Sequence, residues 1–472
     1  MSRNVVVCCL DTVRQDYFAR FAPRLRERAA LSVPGCRAAS GWSVPSHASM
    51  LTGRLPHEHD VHTYAPRFDT LDVADTVFGD LPDHRAIGAS ANVYAGSAFG
   101  FGALFDDFVD VSRDHRFVDG LNASAFVDDH PEPGLGRYRD LLVAAASHEN
   151  PLPSLANAVC LALDQSVETG LLAGVPTPFD DGAATLTRAF GDLADASDEP
   201  FVGFCNFMEA HEPHRDTLGY DDERYDVPRG WRSTLDPGTV ATADGDVEAR
   251  LERYRSTYGA AIEYLDRRVA AFVDDVRART ERETTVIVTA DHGENLGSAT
   301  DGGALGHVTS LSEGILNVPF LVINPPTGYA ADAGRGRLSH CSLRRLVRGF
   351  ARDETPEFES DDRVVAEVVG PTPGNDELIE DAPERWDRGL RATYDGDRKV
   401  VWDDTGDVSA YDIDPDRPCW QRRVPGDADR PPASARRFDG PLEDYRERAM
   451  RAGGEREVSA AVAERLDDLG YR

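Results

Sequence analysis

The chain has 472 residues, 41% of them hydrophobic, enough for one large catalytic domain plus a smaller one around a substantial core. Its 83 acidic residues against 51 basic ones give a net charge of −32, which argues against partners such as nucleic acid or an anionic membrane surface. Lys399 is the sole lysine, so the positive charge is almost all arginine, a composition suited to high salt, where screening tolerates self-repulsion.

The opening residues run directly into Asp11 after a short apolar stretch and do not read as a signal peptide. No stretch approaches the ~20 apolar residues of a membrane span. The 7 cysteines are scattered, with no metal or disulfide spacing. A cytoplasmic, reduced protein is the expectation.

Asn4 to Leu10 is a nearly continuous Val-rich run and predicts a central strand of a parallel sheet, with Asp11 at its carboxyl end. Ligands of open α/β sheets bind at such ends. Gly41 to Arg54 predicts a short helix: Pro45 suits its first turn, and Gly53 suits its stop. Ser43 lies at its start, where free N–H groups and the helix dipole favour negative charge. Taken alone, Ser43 is an N-cap; taken with the sites below, it is a nucleophile. His57, His59 and His62 follow closely and read as a surface loop rather than a metal site.

Ala86 to Asn92 predicts a second strand, and Phe99 to Phe108 a loop packed on the core. Residues 112–180 lack clear periodicity and form a variable insertion, with short helices at Leu141–Ala146 and Leu155–Leu163. Ala183 to Leu193 predicts an amphipathic helix, and Phe201 to Met208 a third strand ending at Glu209-Ala-His211. Leu251 through Val276 carry apolar residues at helical spacing, a long helix covering the sheet. Thr285 to Ala290 is a strand followed at once by Asp291-His292-Gly293-Glu294, and Val318 to Asn324 is another strand. This alternation predicts a three-layer α/β domain over residues 1–330 with a mostly parallel central sheet. A connecting segment over 331–389 and a small α+β subdomain over 390–472 follow. Val364–Val369, Lys399–Trp402 and Val408–Tyr411 are expected as strands, and Ala460–Leu469 as a terminal helix.

Asp11, Asp291 and His292, two carboxylates and an imidazole, suit one divalent metal that also contacts the Ser43 oxygen. Such a donor set accepts Mg, Mn, Zn or Ca. His211 and His307 are placed to bind an anionic ester or protonate its leaving oxygen. His47 is a further candidate substrate contact.

These residues carry a resemblance. Val7-Cys-Cys-Leu-Asp11-Thr-Val-Arg14, Ser43-Val-Pro-Ser-His-Ala-Ser-Met-Leu-Thr-Gly-Arg54, Met208-Glu-Ala-His211-Glu-Pro213, Asp291-His-Gly-Glu294 and Gly306-His307 resemble, in order, the sulfatase family of the alkaline phosphatase superfamily. The composition marks an acidic member of haloarchaeal type. Lys399-Val-Val-Trp402 and Leu466-Asp-Asp-Leu-Gly-Tyr471 resemble the family's C-terminal subdomain. The resemblance implies an alkaline phosphatase-like fold, metal ligands at Asp11, Asp291 and His292, the nucleophile at Ser43, and substrate contacts at His211 and His307.

Departures from the family pattern bear on the chemistry. The sulfatase nucleophile is a formylglycine made within a Cys/Ser-x-Pro-x-Arg signature, and His47 stands in the place of that Arg. Thr12 stands where many sulfatases have a second metal-binding Asp, and His292 where many have Asn. Plain Ser43 cannot expel sulfate from a hemiacetal as a formylglycine hydrate does, whereas a phosphoryl-serine is resolved by water. The expectation is a metal-dependent hydrolase of small anionic esters, such as a sulfated or phosphorylated sugar or metabolite. Ser43 or its formylglycine would attack a sulfate ester. The alternatives are phosphomonoester, phosphodiester or phosphonate-ester cleavage by unmodified Ser43, and a soluble phosphotransferase.

Overall fold

The run Asn4–Leu10 forms strand β1, buried along its whole length as a doubly covered parallel strand requires. The computed structural model describes residues 2–453 apart from 114, 131–133, 170, 171, 173, 197, 236–246, 330–333, 335, 359–363, 374 and 427–436. The helix expected at Ala460–Leu469 lies outside the described residues. Further strands follow in order: β2 (Leu31–Ser32), β3 (Gly35–Arg37), β4 (Arg85–Ser90), β5 (Asp107–Asp110), β6 (Phe201–Phe207), β7 (Thr284–Thr289), β8 (Asn295–Leu296), β9 (Leu305–Gly306), β10 (Phe320–Ile323) and β11 (Arg337–Ser339). Among the described residues the central sheet has seven strands in the order β2-β10-β7-β1-β6-β4-β5. The five from β7 to β5 are parallel, and β10 and β2 complete one edge antiparallel.

Register brings the carboxyl ends of four strands level. Cys9 pairs with Thr289, Leu10 with Phe207, and Ser90 with Asn206. Asp11, Asn92, His211 and Asp291 therefore leave the sheet along one edge.

Alternation along β6 shows the two faces. A Cβ on Gly203 would lie 2.3 Å from the Phe190 ring, so the Ala183–Asp195 helix lies directly against that face. Val202 and Phe204 instead line a small cavity with Met50, Leu51, Leu343 and Val347, from the Ser43–Thr52 and Leu343–Ala351 helices. The Val247–Arg279 helix packs beside Ala183–Asp195 and buries Tyr254, Tyr258, Ile262 and Leu265. The result is a three-layer α/β sandwich. No helix among the described residues is long and apolar enough to cross a membrane.

Three expectations change in detail. His59 and His62 are buried rather than on a surface loop: His59 Nε2 lies 3.0 Å from Ser49 Oγ. Phe99–Phe108 does pack on the core, through Phe101 and Phe105, but ends in the edge strand β5. In the 112–180 region the helices are longer than their apolar spacing suggests, at Leu135–Ser147 and Pro151–Thr169. They leave Leu142, Val143, Leu152 and Val159 exposed, which is why no clean periodicity was readable there.

A second sheet follows, an antiparallel meander of β12 (Val365–Val368), β13 (Leu390–Asp395), β14 (Arg398–Asp403), β15 (Val408–Ile413) and β16 (Gln421–Arg423), joined by the Leu442–Ala452 helix. It begins at β12, inside the stretch read as a connecting segment. Two buried carboxylates tie it to the large domain. Glu313 receives Arg37 at 2.7 Å, Lys399 at 3.1 Å and the Tyr394 hydroxyl at 2.7 Å. Glu367 accepts from Arg391 and from the His57 backbone N–H and Nδ1.

Burial works to raise the Glu313 carboxyl, but Arg37 and Lys399 with their hydrogen-bonding partners hold it down at about 2. A carboxyl depressed on folding contributes stability above its unfolded value, ordinarily near 4.5, and loses it as pH falls toward 2. We therefore expect urea-unfolding stability to drop between pH 4.5 and 2 with a steeper slope in the wild type than in Glu313→Gln. Equal slopes would remove Glu313 as a source of acid sensitivity.

Candidate active site

Ser43 is the first residue of its ten-residue helix. Trp42 occupies the N-cap position in extended conformation and offers no side-chain cap, so no capping side chain occupies the first turn. Asn92 Nδ2 donates to Ser43 Oγ at 3.1 Å and to Asp11 Oδ2 at 2.6 Å. His292 Nε2 lies 3.5 Å from Ser43 Oγ. The His292 Nδ1 faces the Gly293 carbonyl at 2.8 Å, which fixes the ring with Nε2 toward the site.

Asp11 and Asp291 are fully buried. Asn206 and Asn92 both donate to Asp11 Oδ2, while Oδ1 has no hydrogen-bond partner. Asp291 Oδ1 accepts from the backbone N–H groups of Thr12 and His292, at 3.3 and 2.9 Å, and Oδ2 has no hydrogen-bond partner. Neither forms an ion pair with Arg or Lys among the described residues. One ligand atom from each of Asp11, Asp291 and His292 falls within a 4.8 Å group. Two orphaned, buried carboxylate oxygens converging with an imidazole nitrogen fit a divalent metal, since without one their desolvation has no offset. The donor set accepts Mg, Mn, Zn or Ca, with Ca the least suited to an imidazole.

Thr12 connects two of these strands. It has φ of +59°, a conformation that a β-branched residue adopts at a cost. Tyr258 holds it there, donating its hydroxyl to the Thr12 carbonyl at 2.7 Å while accepting from the Arg14 N–H at 2.9 Å. The Thr12 hydroxyl bonds backbone carbonyls of Asp11 and Ala210 instead of joining the carboxylate cluster.

His211 and His307 come together with ring centroids 5.3 Å apart, and His307 lies 4.7 Å from the His292 ring. Burial works to lower the His211 pKa, but the Asp11 and Glu212 carboxylates, a hydrogen bond that the His211 ring donates to the Glu212 carbonyl, and Glu294 together raise it. Burial and the His211 charge take His307 down to about 4, so its imidazole is neutral. Burial pushes the Glu294 carboxyl up to about 7.

His47, expected as a candidate substrate contact, lies within the Ser43 helix and is fully buried against Phe101 and Phe204. Its Nδ1 lies 2.7 Å from the Ser43 carbonyl and 3.7 Å from Asp291 Oδ2, and its Nε2 3.4 Å from Asn206 Oδ1. The other expected residues, Asp11, Ser43, His211, Asp291, His292 and His307, are gathered at one place. Asn92, Asn206 and Glu212 join them unforeseen. Asn92 closes a predicted strand whose neighbours end level with it, and that register is the signal a sequence does not display.

A family model for sulfatases matches residues 3–340. Among solved structures, the chain is similar to a phosphonate monoester hydrolase of Agrobacterium radiobacter, with TM-score 0.59 and 15% identity over 99% of this chain and 95% of that one. It is also similar to a 2-O GAG sulfatase, with TM-score 0.55 and 14% identity over 98% and 96% of the two chains. A third, the phosphonate monoester hydrolase from Silicibacter pomeroyi, matches with TM-score 0.51 and 15% identity over 87% and 89%. At such identities the likeness is one of fold. A search of curated proteins finds no match.

Metal-stripped protein should gain thermal stability when Mn²⁺ is added, about 2.7 kcal/mol at a hundredfold excess over Kd for one site. Asp11→Asn should cut that gain in a calorimetric scan. An identical gain in the variant would separate Asp11 from the metal.

Proposed function

The chain belongs to the sulfatase family, a family of metal-dependent ester hydrolases, and on that premise we propose that unmodified Ser43 attacks a phosphomonoester, phosphodiester or phosphonate ester of a small molecule. The setting of Ser43 favours this chemistry. Among the described residues its oxygen has amide and imidazole hydrogen-bonding neighbours and no arginine or lysine to steady an aldehyde hydrate. His47, in the place of the signature Arg, is spent on the Ser43 carbonyl, and Lys399 is spent on Glu313. Sulfate-ester hydrolysis through a formylglycine at residue 43 is the second reading, and the family match favours it.

Asp11, Asp291 and His292 would hold a divalent ion, which would supply charge stabilisation and a lowered pKa for the Ser43 hydroxyl. The chain's own residues do the rest. Asn92 Nδ2 orients Ser43 Oγ, and the N–H groups of the helix's first turn face developing negative charge. Ser43 Oγ, its proton lost to solvent, forms a bond to phosphorus while the bond from phosphorus to the leaving oxygen breaks. His211, with its raised pKa, gives that oxygen a proton. Water then attacks the phosphoryl-serine and loses one proton to His211 as the bond from phosphorus to Ser43 Oγ breaks, and Ser43 Oγ takes a proton back from solvent. His47 acts one layer below, fixing the Ser43 backbone through its carbonyl.

The intact mass of the peptide holding Ser43, from protein made in its native host, tests the choice of nucleophile. An unmodified mass is expected; a mass lower by about two hydrogens means formylglycine and transfers the activity to sulfate esters. His211→Ala should lower kcat by about 10²- to 10⁴-fold on esters with alkyl leaving groups, and far less with nitrophenyl ones, whose leaving oxygen needs no proton. Equal losses on both would sink the acid role.

A further inference from the structure

A second group of ligand-type side chains lies beside the first. Glu212, Glu294 and His307 each bring one ligand atom into a set whose members lie within 4.8 Å of one another. They reach it from three places: the turn beyond β6, the loop between β7 and β8, and the residue after β9. Glu294 and His307 are buried and Glu212 half-buried. Both Glu294 oxygens face His307 Nδ1, at 3.4 and 3.3 Å. Glu212 Oε2 accepts the Tyr254 hydroxyl at 3.3 Å.

Imidazoles, those of His211 and His307, neighbour both carboxylates. Among the described residues no Arg or Lys forms an ion pair with Glu212 or Glu294. Arg14 reaches the Glu294 backbone carbonyl at 3.0 Å but spends its charge on Asp301 and Asp16. Two carboxylates close together and removed from water repel each other and lack solvation. An imidazole converging on the same point makes a mixed oxygen and nitrogen donor set, which suits Zn or Mn better than Ca.

We propose that Glu212, Glu294 and His307 form a second divalent-cation site next to that of Asp11, Asp291 and His292. The 4.7 Å between the His292 and His307 rings makes the two sites neighbours. Paired metal sites are a recurring device for displacement at phosphorus, where one cation faces the attacking oxygen and the other the leaving oxygen. This inference goes beyond the hydrolase reading and does not require it, because cation binding is independent of which ester is cleaved.

The test uses the full chain, stripped of metal and titrated with Mn²⁺ alone. Calorimetry counts sites, and electron paramagnetic resonance reports whether the ions are close. The wild type should take up two Mn²⁺ with a spin-coupled signal. Glu294→Gln and Glu212→Gln should each weaken one of the two by about tenfold or more and leave the spectrum of an isolated ion. Glu212 is the less buried of the pair, so its variant serves if Glu294→Gln does not fold. Saturation of the wild type at one Mn²⁺, or two sites left unchanged by both variants, overturns the proposal. Asp291→Asn separates the two readings. One Mn²⁺ bound by the wild type and lost in Asp291→Asn removes the second site alone, whereas no Mn²⁺ bound by the wild type removes the first site as well.

Discussion

Carboxylate burial without an arginine or lysine partner is the constraint on which the rest of this structure depends. Asp11 and Asp291 stand at the carboxyl edge of the sheet, fully buried, each with one oxygen satisfied by amide donors and one left over. Neutral donors from Asn92, Asn206 and the backbone hold the carboxylates in place without cancelling their charge. An arginine would have neutralised them and filled the space. The uncancelled charge is what gives the edge its affinity for a cation, and the cation is what makes Ser43 more than a helix-terminal hydroxyl.

The scaffold serves that constraint at several distances from it. Parallel pairing in register brings Asp11, Asn92 and Asp291 level. Thr12 accepts an unfavourable backbone so that its N–H meets Asp291 and its hydroxyl anchors the turn after β6. Tyr258, from the long covering helix, holds the turn after β1 through the Thr12 carbonyl. On the opposite face, Ser46 donates to the Asp291 carbonyl at 2.6 Å, and His47 engages the Ser43 carbonyl. The Ser43 helix is thus tied both to the metal-ligand strand and to its own first turn.

Much of this was legible in the sequence because it follows local rules. The Val-rich run before Asp11 and the Thr285–Ala290 run before Asp291 could only be buried strands, and their carboxyl ends are where α/β sheets place chemistry. The long helix showed in its spacing. Residues acting through register did not show: Asn92 and Asn206 matter because β4, β6 and β1 end together, a relation between strands distant in the chain. His47 misled for a related reason. A histidine one turn from the nucleophile reads as a substrate contact until the helix is docked, and docking turns it onto Phe204 and Asn206. Glu212 was hidden by its neighbours, since one more acidic residue in a chain this acidic carries no signal.

The molecule's other buried carboxylates sharpen the contrast. Asp301 is met by Arg14, Glu313 by Arg37 and Lys399, and Glu367 by Arg391 and His57. At each of these three interfaces the chain supplies a cationic partner, and it spends its lone lysine that way, between the two sheets. The sheet edge differs at Asp11 with Asp291 and at Glu212 with Glu294, where among the described residues no Arg or Lys forms an ion pair. A chain with arginine to spare for structural pairs has left these four without it. Such a choice destabilises the empty fold, because unpaired buried charge is among the costlier defects a core can carry. That cost is offset where a ligand brings the missing positive charge, and convergence with an imidazole is what fits Asp11, Asp291, Glu212 and Glu294 to a cation, as opposed to the arginine-paired carboxylates that hold the protein together.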